Sequence, residues 1–331
     1  MFAVVTGASG HLGANLVRAL IDRKWKVRVL VHHDTRALEG LDIERVAGDV
    51  LDGESLRQAF HGADIVFHLA GRISVVNWDR KKVEAVNITG VQNVVNACMD
   101  TGVKRLVHTS SFHAHKQEPI DETLDESRPL LDTGSYPPYN HSKAEGERIV
   151  RAAIAKGFDA VIINPTGMLG PHDYKPSHFG ATLLLMAQGK LPALVNAGLN
   201  WVDNRDVAKG MINASEQAKA GEKYILSGHW VALEGIAQQI ARIPGAKPPQ
   251  VILPMWLAKA SAPLATFFSR IRGERPLFTS ISMKELESNP NISHAKASKE
   301  LGYEPRPLQQ TIADTMNWFQ VNGILTSLYK K

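Results

Sequence analysis

The sequence predicts an α/β protein with a Rossmann-type, doubly wound parallel sheet and a smaller C-terminal substrate region. Three observations lead to this prediction. A buried strand at residues 2–5 runs directly into three glycines spaced three residues apart. Strand and helix patterns then alternate through half of the chain, as expected for a parallel sheet covered by helices. After Asn164 the alternation stops, and prolines and glycines become frequent.

The first turn of the predicted sheet carries the glycines Gly7, Gly10 and Gly13. Glycines let the backbone approach a pyrophosphate, whose charge is met by free N–H groups at the start of the following helix. That helix is amphipathic, with leucines at positions 12, 16 and 20 on one face. We therefore expect the turn to bind a dinucleotide, with Ser9, His11 and Leu12 as further contacts.

The later elements follow in order along the chain. Strands are predicted at 26–31, 43–46, 63–69, 105–109 and 158–163, and helices at 80–99 and 139–156. Right-handed crossovers place the carboxyl ends of such strands along one edge, where a ligand crevice opens. We expect residues 1–164 to form the dinucleotide-binding domain and residues 165–331 to form most of the substrate region. A strand at 222–226 and a helix at 206–218 are expected to pack back on the first domain.

Two further motifs point to chemistry in that crevice. Tyr139 and Lys143 are four residues apart on a predicted helix and so share one face. An ammonium group beside a phenol is expected to lower the phenol's pKa and make it a usable acid and base. Thr109, Ser110 and Ser111 follow a predicted strand, where a hydroxyl can hold a substrate carbonyl oxygen. Each pattern alone is more often structural, but they occur here together and in order.

In this combination the chain resembles the extended short-chain dehydrogenases/reductases over essentially its whole length. The motifs that carry the resemblance are TGASGHLG, HLAG, NITGVQN, YNHSK and NPTGMLGP. The most similar branch is that of dihydroflavonol reductases and hydroxysteroid dehydrogenases. The resemblance implies that Tyr139 is the general acid and that Lys143 tunes it and holds the nicotinamide ribose. Ser111, or Ser110 in the alternative register, would bind the substrate oxygen.

The resemblance also implies the cofactor contacts. Beside the glycine turn these are Asp49 and Val50 at the adenine, Leu69, Ala70 and Gly71 near the adenosine ribose, and Thr109, Pro165 and Thr166 towards the nicotinamide. Asn87 would support a proton-relay water. At the end of the second strand, His32 and Arg36 would meet a 2′-phosphate, whereas Asp34 lies two residues too late for the acidic residue that selects NAD. The sequence favours NADP(H), and NAD(H) stays open.

Composition limits the other functional classes. The formal net charge of +5 comes from scattered lysines and arginines, so nucleic-acid binding is not expected. A single cysteine, Cys98, and the lack of a signal peptide before the first strand indicate a cytoplasmic protein. His113 and His115 lie near no cysteine and form no metal-ligand motif, so we expect no metal.

The apolar stretch 251–268 is the nearest feature to a membrane segment. Pro254, Lys259 and Pro263 interrupt it, so we expect no integral membrane span but a hydrophobic helix that covers a substrate cleft. Arginines at 270, 272 and 275 leave peripheral contact with an anionic bilayer as an alternative. Side chains expected to line the cleft are Met168, His172, Phe179, Trp201 and Trp256.

The function predicted from these features is NADPH-dependent reduction of a ketone, or the reverse alcohol oxidation, on a hydrophobic or aromatic small molecule. The alternative within the same fold is an NAD-dependent nucleotide-sugar epimerase or dehydratase. A diphosphate substrate needs arginine or lysine partners, which the second half does not cluster. A non-catalytic cofactor sensor is the alternative from another class. Helices 80–99 and 139–156 are candidates for a homodimer interface.

Overall fold

The computed structural model describes residues 1–132, 134, 136–271, 273 and 276–325. In chain order its strands are β1 (Phe2–Thr6), β2 (Lys26–Val31), β3 (Glu44–Ala47), β4 (Ile65–His68), β5 (Arg105–Thr109), β6 (Ala160–Pro165), β7 (Gly167–Leu169), β8 (Leu194–Val195), β9 (Gly198–Asp203), β10 (Lys223–Leu226), β11 (His229–Ala232) and β12 (Ile252–Leu253). Its helices are α1 (His11–Asp22), α2 (Gly53–Phe60), α3 (Arg80–Glu84), α4 (Gly90–Asp100), α5 (Pro138–Ile154), α6 (His178–Ala187), α7 (Asn204–Gln217), α8 (Leu233–Ile240), α9 (Met255–Ile271), α10 (Ser280–Glu285), α11 (Ala295–Leu301) and α12 (Leu308–Val321).

The main sheet confirms the predicted fold class. Seven parallel strands lie in the order β10-β6-β5-β4-β1-β2-β3. The chain moves outward in one direction from β1 to β3 and in the other from β4 to β6. The strand order therefore reverses between β1 and β4, and a crevice opens there at the carboxyl ends of the strands.

Helices cover both faces of this sheet. On one face, Leu16 of α1 packs with Val207 and Met211 of α7. On the other, α2, α4 and α5 bury a second cluster that includes Leu56 and Val150. Strands covered on both sides carry nearly continuous apolar runs, which explains why the sequence pattern located them. From the second half of the chain, α7 packs on this sheet and β10 pairs with β6.

The remaining elements build a smaller layer beside the crevice. A three-stranded sheet in the order β11-β9-β7 and a two-stranded pair, β12-β8, lie among α6, α8 and α12. Their shared core includes Leu183, Trp201, Ile236 and Met316. Within the described ranges, no helix has the length and apolar character that crossing a membrane requires.

The predicted helix 80–99 differs from the observed one in its middle. A π-helical turn at Ala85–Thr89 separates α3 from α4. The π turn carries Asn87, which is 1% exposed. Its Oδ1 accepts from the backbone nitrogen of Arg72. Its Nδ2 donates to the carbonyl oxygen of Arg72 and to Ser142 Oγ (2.9 Å). These contacts tie the loop after β4 to α5 and give Asn87 a structural role, while its part in a water relay stays a prediction.

Candidate active site

Ser111, Tyr139 and Lys143 meet at the carboxyl end of β5. Pro138 occupies the first turn of α5, where its missing N–H costs nothing, and it fixes Tyr139 at the start of the helix. Ser111 and Tyr139 face the same cavity, and the Ser111 hydroxyl is close enough to act on the pKa of the phenol. One turn further along α5, Lys143 Nζ donates to the carbonyl oxygen of Thr109 at 2.8 Å. The structure thus brings together the three residues for which the sequence predicted a catalytic role.

Burial controls the ionisation of both Tyr139 and Lys143. Loss of water around the phenolate raises the pKa of Tyr139 from 10.0 to about 12, against the lowering effect of the Ser111 hydrogen bond. Burial likewise lowers the pKa of Lys143 from 10.5 to about 8. The expectation that Lys143 makes Tyr139 more acidic is therefore wrong for this chain's own side chains. The lysine is directed at a backbone carbonyl, and desolvation dominates the tyrosine.

The glycine turn forms a cradle that side chains would fill. Gly7 has a φ of +72°. A Cβ at Gly7 would lie 2.5 Å from the backbone nitrogen of Ala70, and one at Gly13 would lie 2.2 Å from the carbonyl oxygen of Gly7. Gly10 begins α1 without a side-chain cap, so the first N–H groups of the helix face outward unpaired by any capping side chain. This arrangement fits a pyrophosphate group.

One cavity of about 520 Å³ joins this turn to the Ser–Tyr–Lys group. Predicted cofactor contacts in its wall are Gly7, Gly10, His11, Leu12, Gly13, Leu69, Gly71, Thr109, Pro165 and Thr166. Among the described residues, the buried Thr109 Oγ1 and Ser110 Oγ have no hydrogen-bond partner. Buried hydroxyls without partners are costly, so a bound molecule that supplies partners fits this wall. The residues present therefore fit a dinucleotide whose nicotinamide end lies near Tyr139.

The imidazole of His11 has protein partners. Its Nε2 lies 2.9 Å from the carbonyl oxygen of Gly170 and 3.2 Å from that of Pro171. Thr166 is similarly engaged, since its hydroxyl donates to Asn200 Oδ1 at 2.9 Å. These bonds connect the glycine turn and the end of β6 to the smaller layer.

Other predicted cofactor residues lie outside the cavity wall. Ser9 is half-buried in the glycine turn, Ala70 packs against Gly7, and Val50 is buried beneath the sheet edge. His32 and Asp49 face each other at the ends of β2 and β3, with Nε2 and Oδ2 3.2 Å apart. Their side chains are 60% and 39% exposed, so this surface is open to a ligand that extends from the cavity.

The carboxylate of Asp34 is occupied by its neighbour Arg36. Both oxygens accept from the guanidinium, at 3.0 and 2.6 Å, and one also accepts from the Arg36 backbone nitrogen. This ion pair lowers the pKa of Asp34 to about 2. An Asp34 held in this way has little free capacity to accept hydroxyls from a ribose.

The cavity is apolar beyond the reactive group. Its wall there includes Phe112, Met168, Phe179, Leu199, Trp201, Leu233, Leu277, Phe278, Ile281, Met283 and Leu286. Three of the predicted cleft residues are thus in place. Trp256 and His172 are not in the wall. Trp256 is 70% exposed on α9, because that helix turns its small residues inward.

Sequence reasoning missed a carboxylate beside the reactive group. Glu285, at the end of α10, pairs with His113 (Nδ1 to Oε2, 2.7 Å) and accepts from Asn140 Nδ2 at 2.9 Å. These partners outweigh burial and hold the pKa of Glu285 below its usual value. Its negative charge also helps to raise the pKa of Tyr139. No local pattern signals this residue, since only the fold brings it to α5.

Comparisons with known proteins agree with this architecture. The model of the NAD dependent epimerase/dehydratase family matches residues 3–227. The chain is 34% identical to sterol demethylase protein B from Methylococcus capsulatus, covering 98% of this chain and 100% of that protein. It is 28% identical to 4-hydroxy-2-methyl-3-oxo-4-farnesyl-3,4-dihydroquinoline-1-oxide ketoreductase from Stigmatella aurantiaca, covering 96% of each.

A solved structure extends the likeness to three dimensions. The crystal structure of gox2253 superposes with a TM-score of 0.85 at 33% identity, covering 97% of this chain and 98% of that one. The family match, the relatives and the parallel sheet point the same way. The chain belongs to the NAD-dependent epimerase/dehydratase family, within the extended short-chain dehydrogenases/reductases.

Proposed function

We propose that this protein is an NADP(H)-dependent oxidoreductase that reduces a ketone on a hydrophobic or aromatic small molecule, or oxidises the matching alcohol. The observation that carries the proposal is that Ser111, Tyr139 and Lys143 lie in the wall of the same cavity as the glycine turn. We propose residues 1–164 as the cofactor domain and residues 165–331 as most of the substrate region.

The residues would divide the chemistry as follows. A nicotinamide bound with its ring near Tyr139 would supply or accept the hydride. As negative charge develops on the substrate oxygen, Ser111 would hold that oxygen and Tyr139 would give it a proton. A phenol with a pKa of about 12 is fully protonated at neutral pH, and an alkoxide is a much stronger base than a phenolate. Lys143, whose Nζ donates to the carbonyl oxygen of Thr109, would bind the ribose.

The wall of the cavity supports an apolar substrate. Among the described residues that line it, none is an arginine, and Glu285 places a negative charge near the reactive group. A nucleotide diphosphate would find few cationic partners there and an adverse charge. The names of two relatives, which refer to a sterol and to a farnesylated quinoline oxide, point to the same substrate class.

The end of β2 supports NADP(H). Asp34, the carboxylate nearest to the position that selects NAD, is neutralised by Arg36. The exposed His32, two residues before Asp34, is paired through Nε2 with Asp49 and would offer its other ring nitrogen to a phosphate. We therefore propose that the 2′-phosphate lies over His32, with Arg36 Nη1, which the two side-chain bonds to Asp34 do not use, as a second partner.

The decisive experiment compares Tyr139→Phe with Tyr136→Phe, a matched loss of one hydroxyl three residues earlier. A panel of apolar ketones with NADPH should reveal turnover that Tyr139→Phe lowers about 10²- to 10⁴-fold. NADPH binding, measured by nucleotide fluorescence, should stay unchanged in both variants, and Tyr136→Phe should keep its activity. Turnover of nucleotide sugars alone would favour an epimerase, and cofactor binding without any turnover would favour a sensor.

The cofactor assignment has its own test. His32→Ala should weaken NADPH binding by about fivefold to tenfold while changing NADH binding little, since only one of the two ligands carries a phosphate at that position. Equal losses for the two nucleotides would contradict the assignment. The readout is a binding constant, so it does not depend on knowing the substrate.

A further inference from the structure

Helix α9 packs its small residues against the protein and exposes its large apolar residues, the opposite of an ordinary surface helix. Ala258 and Ala262 are its buried residues, with exposures of 5% and 2%. Its largest apolar side chains point outward, and those of Trp256, Leu264 and Ile271 are each more than 60% exposed. Scattered exposed apolar residues are ordinary on proteins, but a continuous stripe of them marks an interaction surface.

The stripe continues into a second segment of the chain. At 100° per residue, Trp256, Leu264, Phe267 and Ile271 fall within an arc of about 80° on α9. The guanidinium of Arg270 lies 5.5 Å from the ring centroid of Trp78, which is itself 61% exposed. We call these side chains the outer apolar face; its members are Trp78, Trp256, Leu264, Phe267, Phe268 and Ile271.

This face adjoins the entrance of the substrate cavity. Ala258 and Ala262 pack against Phe278 and Met283, whose side chains also line the cavity. Ile73 belongs to the same wall and is 53% exposed. Thr279 Oγ1 donates to the carbonyl oxygen of Val75 at 2.7 Å, which joins the segment before α10 to the loop after β4 at the cavity wall. The outer apolar face therefore covers one side of the cavity and extends to where Ile73 reaches solvent.

The segment that forms the face is basic. Residues 251–273 contain no aspartate or glutamate, and Lys259 and Arg270 lie along one flank of the apolar arc. Lys259 Nζ is paired with Glu287 at 2.7 Å, so Arg270 supplies the net positive charge of this flank. Arg272 and Arg275 lie outside the described residues. Large apolar and aromatic side chains flanked by cations are the composition of helices that lie in the interface of an anionic membrane.

We propose that the outer apolar face lies in the surface of an anionic lipid bilayer, with α9 parallel to the membrane plane. The cation flank complements the lipid phosphates, and the apolar stripe reaches the acyl boundary. The entrance of the cavity then faces the lipid. An apolar substrate can pass from the bilayer to Tyr139 without crossing water, a consequence that rests on the proposed function, whereas membrane binding itself does not.

The test is cosedimentation of the full chain with vesicles of equal parts phosphatidylcholine and phosphatidylglycerol, against vesicles of phosphatidylcholine alone. The double variant Leu264→Ser/Phe267→Ser should weaken binding about a hundredfold, because two large apolar side chains no longer leave water. Arg270→Gln should weaken it about fivefold on anionic vesicles only. The matched control is Met99→Ser/Val321→Ser, which removes exposed apolar side chains elsewhere and should bind as the unaltered protein does.

Several outcomes would overturn the proposal. The unaltered chain would stay in the supernatant with anionic vesicles, or the double variant would bind as tightly as its control. In a third outcome, the protein does not bind vesicles, and light scattering shows a dimer that Leu264→Ser/Phe267→Ser dissociates. That result would assign the face to contact with a second copy of the chain. Thermal melting of each variant checks that it folds. The vesicle assay contains no substrate, so a failure to bind vesicles would not contradict the proposed ketone reduction.

Discussion

Lys143→Met should stabilise the fold at neutral pH while it removes catalysis. Burial lowers the pKa of Lys143 from 10.5 to about 8, so its ammonium is less favourable in the folded protein than in the unfolded chain. This lowering of the pKa costs about 3 kcal/mol at pH 7. Methionine keeps the apolar stem but loses the bond to the Thr109 carbonyl, worth about 1 kcal/mol. The net expected gain is about 2 kcal/mol.

The sign follows from proton binding. Since the unfolded chain holds the proton more tightly, the penalty is fully present below pH 8 and fades as the pH rises towards 10.5. Between pH 7 and pH 9.5, the free energy of unfolding of the unaltered protein should gain about 2 kcal/mol on that of Lys143→Met. Taking the difference between the two proteins removes the contribution of groups that titrate in both.

Urea unfolding at the two pH values measures this difference. Lys156→Met, which alters an exposed lysine just beyond α5, should show no such pH-dependent change. The same Lys143→Met protein should reduce ketones at least about a hundredfold more slowly. A stability difference that is the same at both pH values would refute the argument that burial, and not local packing, determines the ionisation of Lys143.

Two further predictions concern the same cavity. Glu285→Gln should lower the pKa of Tyr139, since it removes a charge that raises it, and the pH profile of alcohol oxidation should move to lower pH, whereas Glu287→Gln at an exposed ion pair should not move it. Gly13→Ala should lower the free energy of unfolding by about 1–3 kcal/mol in urea, because its methyl group would lie 2.2 Å from a carbonyl oxygen. Gly10→Ala, whose nearest contact is 3.2 Å away, should be tolerated in the same assay.

Local patterns predicted the main sheet because its strands and helices are each defined by short-range periodicity. The strand Arg105–Thr109 was predicted with its observed bounds, and the helix on which Tyr139 and Lys143 lie differs by a residue or two at its ends. Ends of strands were less exact: β6 runs to Pro165, two residues beyond its predicted end. Backbone pairing with β10, which comes from about 60 residues further along the chain, extends it, and a local pattern does not contain that partner.

Ionisation was the property that sequence reasoning misjudged. Spacing places Tyr139 beside Lys143, but it does not report how much water surrounds either group. Burial raises the pKa of Tyr139 and lowers that of Lys143, and the Lys143 ammonium donates to a backbone carbonyl. Glu285 was missed for a related reason, since its contact with His113 exists only after α10 folds over α5.

The segment from α9 to α10 links the outer surface to the reactive centre. Its first part contributes the outer apolar face, Phe278 and Met283 separate that face from the cavity, and Glu285 ends the segment beside Tyr139. Small residues on the inner side of α9 bring the helix close to this wall, so the apolar surface and the cavity are separated by about one layer of side chains. A substitution on the inner face of α9 that forces the helix outward would therefore alter both membrane contact and the substrate pocket. A substitution on its outer face would alter membrane contact alone.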